Sequence, residues 1–197
     1  MDMDGVLVHE ANALPGADRF LARLRQRDLP FLLLTNNSIY TRRDLAARLQ
    51  ASGLDVPEES IWTSALATAR FLETQRPGGT AFVVGESGLS TSLYQSGYTL
   101  TDRDPDYVVL GETRTYSFER ITQAIRLIAG GARFIATNPD PTDHPRHRRR
   151  ALLRRQARGR PPHILVLSGV TTAEEVERFP YRPSRIVDSV ADLIDDL

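Results

Sequence analysis

Short, wholly apolar runs alternate along this chain with stretches whose apolar positions recur every three or four residues. Residues 31–34, Phe-Leu-Leu-Leu, are a continuous apolar run, as expected of a strand buried on both faces of a parallel sheet. Ahead of it, residues 18–27 place Phe20, Leu21 and Leu24 at helical spacing. Thr41, with Asp44 three positions on, predicts a capped helix that runs through Leu45 and Leu49 and is closed by Gly53. Ser64 is expected to cap the next helix, through Phe71, and Pro77-Gly78-Gly79 then marks a boundary. Beyond it, residues 81–84, 107–110 and 134–136 read as strands, and residues 89–95 and 118–129 as helices. Strands interleaved with helices predict an α/β fold with parallel sheets and right-handed crossovers.

Composition narrows the function. Basic and acidic side chains number 25 each, so the whole molecule has no electrostatic preference for nucleic acid or acidic membranes. The absence of cysteine excludes a disulfide scaffold and thiolate metal sites, as expected in a reducing cytoplasm. No apolar run approaches the roughly 18 residues of a membrane span, and the first residues are acidic where a secretion signal would be basic. The expectation is a soluble cytoplasmic protein with no membrane partner. An Arg-rich stretch at 146–160 has no interleaved aromatics, which argues against a nucleic-acid site.

Candidate chemistry is concentrated at the start, in Asp2-Met3-Asp4-Gly5-Val6-Leu7. At the end of a strand, the period of two sends Asp2 and Asp4 the same way, and Gly5 lets the backbone leave abruptly. Two such acids can divide labour as nucleophile and general acid/base, provided a cation offsets their repulsion. The alternative is an ordinary turn, because Asp and Gly are common turn residues. Thr35-Asn36-Asn37 follows an apolar strand at its carboxyl end, where ligands sit in open α/β sheets. Its other reading is a Thr-Asn turn that caps the strand. Four scattered histidines offer no zinc spacing, and a chain without lysine cannot hold a P-loop.

Asp2-Met3-Asp4-Gly5-Val6-Leu7, Leu14-Pro15-Gly16-Ala17 and Phe31-Leu32-Leu33-Leu34-Thr35-Asn36-Asn37-Ser38, taken in order, resemble the haloacid dehalogenase superfamily of phosphatases. The subgroup they resemble is the NagD-like one with a C2-type cap, subfamily IIA. Thr63-Ser64, Val83-Val84-Gly85-Glu86, Val108-Val109-Leu110-Gly111-Glu112-Thr113, Ala136-Thr137-Asn138-Pro139-Asp140 and Leu165-Val166-Leu167-Ser168-Gly169-Val170-Thr171-Thr172 continue the match. The resemblance implies a Rossmann-like core at 1–79 and 164–197, a partial C2 cap at 80–142, and an Arg-rich irregular segment at 143–163. It further implies a magnesium-dependent phosphatase of small phosphorylated metabolites that works through an aspartyl-phosphate. Asp2 would be the nucleophile and Asp4 the general acid/base. Magnesium would bind Asp2 and the Asp4 carbonyl, and Thr35, Asn36 and Asn37 would meet the phosphate. Asp140 falls in a cap motif that contributes to substrate choice, or serves a local turn.

Two family features are absent. Relatives carry a Gly-Lys-Pro lysine and a Gly-Asp-x-x-x-Thr-Asp segment that completes the metal site, and this chain has neither. Arg160, in Gly-Arg-Pro, is either a replacement for the lysine or one member of the Arg-rich run. Activity is therefore expected to be impaired; the alternative is an inactive or fragmentary relative that at most binds phosphate. With only Met1 ahead of Asp2 and no Gly-Asp segment, the core sheet is expected to lack strands. Such a core would be marginal and expose sheet edges that favour dimerisation.

Overall fold

The computed structural model describes residues 1–138, 163–169, 171–176 and 182–197. Asp140, Arg160 and the Arg-rich run at 146–160 lie outside the described residues. The chain divides into two compact units. One comprises Met1–Leu33, Arg48–Val56 and Pro139–Leu197; the other comprises Leu34–Ala47 and Pro57–Asn138.

The first unit begins with a short hairpin, β1 (Val8–His9) against β2 (Asn12–Ala13), followed by helix α1 (Ala17–Gln26). Phe20, Leu21 and Leu24 bury one stripe of α1, at the spacing that predicts the helix. Later in the chain, β9 (Ile164–Val166) pairs in parallel with β10 (Arg185–Val187), and a short helix α6 (Ala173–Val176) lies between them in sequence. A 3-10 turn at Val190–Leu193 packs on α1 and carries a capping box, with Ser189 and Asp192 each bonding the other's backbone. Met3, Leu7, Leu33, Leu54, Val187 and Val190 are among the buried apolar residues of this unit.

The second unit is a four-stranded parallel sheet with helices on both faces. Its strands are β5 (Thr80–Val84), β6 (Thr99–Leu100), β7 (Tyr107–Leu110) and β8 (Arg133–Ala136), in the order β6-β5-β7-β8. Helices α3 (Ser64–Gln75) and α4 (Ser87–Gln95) cover one face, burying Ala65, Ala69, Leu72, Leu89 and Leu93 against Ala81, Val83, Tyr107 and Val109. Helix α5 (Phe118–Ala129) covers the other, with Ala124 against Phe82, Val84 and Val108. Alternate strand residues thus feed two separate cores. The same unit holds β4 (Ile61–Thr63) and most of β3 (Leu33–Thr35), which form a two-stranded sheet. Helix α2 (Arg42–Ala51) crosses from one unit to the other along the chain.

The parallel α/β architecture agrees with the sequence reading, and the differences are local. The strand expected at 31–34 lies at Leu33–Thr35, and its side chains alternate, with Leu34 exposed between buried Leu33 and Thr35. It is therefore not buried on both faces. Thr63, not Ser64, caps α3, its hydroxyl accepting from the Leu66 amide at 3.1 Å. Pro77-Gly78-Gly79 was read as a boundary, yet α3 before it packs in one core with β5 after it. The reason is long-range: the small face of α3 fits the sheet, and the Tyr98 hydroxyl donates to the Leu72 and Arg76 carbonyls at 2.8 and 2.7 Å. Among the described residues, no helix is long and apolar enough to cross a membrane.

Candidate active site

Asp2 and Asp4 stand on a tight turn. Both lie at isolated β-bridges and not in a longer strand, that of Asp4 being with Val8. The Met3 carbonyl accepts from the Leu7 and Val8 amides at 3.0 and 3.2 Å, and the Gly5 amide donates to the Val8 carbonyl at 2.7 Å. Met3 is buried, Asp2 is exposed and Asp4 is half-buried. The two acids flank buried Met3 without a full strand beneath them. Asp2 Oδ1 accepts from the Met3 amide at 2.9 Å, which fixes that carboxylate on its own backbone.

Gly5 is dictated by its surroundings. Its φ is 76°, and a Cβ there would lie 2.7 Å from the Gly169 Cα. The Ser168 hydroxyl donates to the Gly5 carbonyl at 2.8 Å, across 163 positions of sequence. Ser168 and Gly169 thus buttress the acidic turn from behind. The sequence showed these two only as part of a tail motif, because no local pattern announces so distant a contact.

In the second unit, the loop after β3 is held from several sides. Thr35 Oγ1 accepts from the Asn37 amide at 3.1 Å, and Asn37 Oδ1 accepts from the Ile39 and Tyr40 amides at 3.1 and 2.9 Å. Asn37 therefore shapes the loop, as the strand-capping alternative requires. The Ser64 hydroxyl donates to the Asn36 carbonyl at 2.7 Å, and buried Ser38 accepts from the Glu112 amide at 2.8 Å. The Gly88 amide reaches the Ile39 carbonyl at 2.9 Å. The outcome is a rigid loop that keeps the Asn36 side chain at the surface. Ser38 and Ser64 were legible as motif members but not as supports.

Asp2 and Asp4 thus share one turn, and Thr35, Asn36 and Asn37 share one loop. Among the described residues, no cluster of three or more His, Asp or Glu could hold a metal ion. Three acids near the chain end have structural partners. Asp192 accepts from the Ser189 amide at 2.9 Å, Asp196 pairs with Arg185, and Glu175 accepts from the Thr172 amide at 3.3 Å. An open concavity of about 300 Å³ between α1 and Ile194-Asp195 contains none of the motif residues.

Comparison with known proteins places these loops in context. A family profile described as haloacid dehalogenase-like hydrolase matches residues 1–99. A dihydroxyacetone phosphatase of Corynebacterium glutamicum (strain R) is 46% identical over 245 aligned positions, which span 98% of this chain and 89% of the relative. Since the chain has only 197 residues, that relative carries a long stretch with no counterpart here. The solved structure of NagD from Escherichia coli K-12 superposes with a TM-score of 0.81 at 35% identity, covering 97% of this chain and 95% of that one. A glycerol phosphate phosphatase of Mycobacterium tuberculosis, solved in complex with magnesium, aligns at a TM-score of 0.66 and 30% identity over 72% of this chain and 43% of that chain. The acidic Asp2-to-Gly5 turn, the loop after β3 and these likenesses agree, and the chain belongs to the haloacid dehalogenase-like hydrolases, in their NagD-like subgroup.

Proposed function

We propose that this chain is a phosphatase of small phosphorylated metabolites whose turnover is impaired by an incomplete site. The observation that supports it most is the Asp2-Met3-Asp4-Gly5 turn, which carries two acids two positions apart and is braced by Ser168 and Gly169. In this reading an Asp2 oxygen attacks phosphorus, the ester P–O bond breaks, and the leaving alcohol takes its proton from Asp4. Asp4 then takes a proton from water, whose oxygen attacks the aspartyl-phosphate, releasing inorganic phosphate and restoring Asp2. Thr35 and Asn36 supply hydrogen-bond donors for phosphoryl oxygens. The four-stranded unit is what remains of a C2-type cap, with Asp140 just past its last strand.

A magnesium ion is implied by the family, and the described residues do not complete a site for it. They offer Asp2 and Asp4 with no third acid beside them. When bound, the ion would neutralise charge on the acids and the phosphoryl group. With that help weakened, two carboxylates repel an anionic ester, and the rate falls.

The corynebacterial relative's name makes dihydroxyacetone phosphate the first substrate to try. Mass spectrometry of the protein quenched during turnover should show a phosphoryl group on the peptide that holds Asp2, absent in Asp2→Asn. Phosphate release that persists in Asp2→Asn would remove the proposal. A second reading, a non-catalytic phosphate binder, is favoured by the incomplete acid set alone. It predicts bound phosphate with neither release nor label.

A further inference from the structure

Helix α1 uses one stripe, with Phe20, Leu21 and Leu24, to build the core, and leaves a second stripe free for other work. Arg19, Ala22, Arg23 and Gln26 stand at i, i+3, i+4 and i+7, so they line up along that second stripe. They form one wall of the open hollow of about 300 Å³, and Ile194-Asp195 forms the other. Both walls belong to the first compact unit. The hollow begins beside a tight seam, where a Cβ on Gly16 would lie 2.6 Å from the Ala191 Cβ. Helix and turn touch at Gly16, and further along α1 the gap opens.

The charges of this hollow are unspent. Among the described residues, neither the Arg19 nor the Arg23 guanidinium makes an ion pair or a hydrogen bond, and the Asp195 carboxylate makes none either. Opposite charges thus line one concavity without meeting across it. Their neighbours behave otherwise: Arg25 pairs with Asp55 at 3.3 Å, Asp192 accepts from the Ser189 amide, and Asp196 pairs with Arg185. Arg23 is half-buried, so its charge is partly withdrawn from water with no acid beside it.

We infer that this hollow binds a small phosphate ester that carries hydroxyl groups. Arg19 and Arg23 rise about 6 Å apart along the helix, close enough for both planar forks to meet the oxygens of one phosphoryl group. A carboxylate would occupy one fork and leave the other unmatched. Gln26 adds an amide donor at the same wall, and Asp195, opposite, accepts from a hydroxyl at the far end of the ester. Asp195 also repels a bare phosphate ion, which has no hydroxylated end to offer it. Ala22 and Ile194 supply apolar surface for the carbon skeleton, in a space at the lower end of the roughly 300–1,000 Å³ of small-molecule sites. The lining includes neither the Asp2 turn nor the loop after β3, so the ester is held here and not hydrolysed.

An amide-resolved NMR titration of glycerol 3-phosphate tests this with the full chain, carrying Asp2→Asn and kept free of magnesium so that the probe is not consumed. The expected result is a set of saturable shifts at residues 19–26 and 191–195. Arg19→Gln and Arg23→Gln should each weaken the binding about tenfold, as loss of a charged hydrogen-bond donor does. Glutamine keeps the helix propensity of arginine, so both variants fold. Inorganic phosphate, titrated in parallel, should bind the hollow more weakly than the ester, and Asp195→Ala should erase that preference. No shift at the hollow, shifts confined to residues 2–5 and 35–37, or an affinity unchanged in both arginine variants overturns the site. Equal binding of ester and inorganic phosphate by the hollow with Asp195 in place overturns the assigned ligand.

Discussion

The Ser38 hydroxyl, fully buried, accepts the Glu112 amide at 2.8 Å, and so ties the loop after β3 to the residue that follows β7 and Gly111. A loop that carries Thr35 and Asn36 is therefore set by the four-stranded unit. Ser38→Ala leaves the Glu112 N–H without its partner, which costs about 1–3 kcal/mol. Urea midpoints for wild type and variant measure this, and the slope of the transition should not change.

Gly5 and Gly53 both have positive φ, 76° and 88°, yet they should respond differently to alanine. A Cβ at Gly53 meets nothing within 4 Å, so Gly53→Ala bears only the backbone strain, about 1 kcal/mol. At Gly5 the same methyl strikes the Gly169 backbone at 2.7 Å. Gly5→Ala should therefore lose distinctly more stability, about 1–3 kcal/mol beyond the Gly53 value. Equal losses at the two positions would show that Gly169 gives way freely.

Acid sensitivity should centre on Asp106. Its carboxylate accepts from the Thr80 amide at 2.8 Å and the Thr80 hydroxyl at 3.0 Å, and pairs with Arg76 at 2.9 Å. The Thr80 amide foremost, then its hydroxyl and the Arg76 charge, hold the carboxyl below its ordinary pKa. A group depressed in the folded state contributes stability that is fully present above the ordinary carboxylate range and is lost as pH falls through the folded value. Asp106→Asn should lower the neutral plateau of a stability–pH curve and flatten its acid limb. Urea midpoints collected across that range decide the matter.

Phosphate should bind through the motif loops and not through the arginines at 146–160. Calorimetric titration of inorganic phosphate with magnesium present should be weakened in Asp4→Asn and Thr35→Ala. It should be unchanged when residues 148–150 are all alanine. The reverse pattern would move the anion site to the Arg-rich segment.

Much of the local structure was legible. Helix Phe118–Ala129 and strand Tyr107–Leu110 follow from apolar spacing alone, and the Thr41–Asp44 pair bonds as a capping box should, with Gly53 in the left-handed region after α2. Asp2 and Asp4 were legible as candidates because strand alternation is a local rule. The supports of the site were not, because Ser168 to Gly5 and Ser38 to Glu112 join residues remote in sequence. Gly and Pro at 77–79 signal a turn, and long-range packing places α3 before it and β5 after it in one core. Asn37, expected to meet the phosphate, also shapes its own loop, a role that only the Ile39 and Tyr40 amides reveal.

The Asp2-Met3-Asp4-Gly5 turn, proposed to carry the nucleophile, is braced by Ser168 and Gly169, while among the described residues the charge-stabilising groups of such a site are incomplete. Losing one such group costs ~10²–10³ in rate, and a lysine and an acid are both missing. The most direct measurement is p-nitrophenyl phosphate hydrolysis with magnesium, run beside the corynebacterial dihydroxyacetone phosphatase. The account predicts turnover at least ~10²-fold below that relative, with the remainder abolished by Asp2→Asn. Turnover equal to the relative's, or a residual rate untouched by Asp2→Asn, would contradict it.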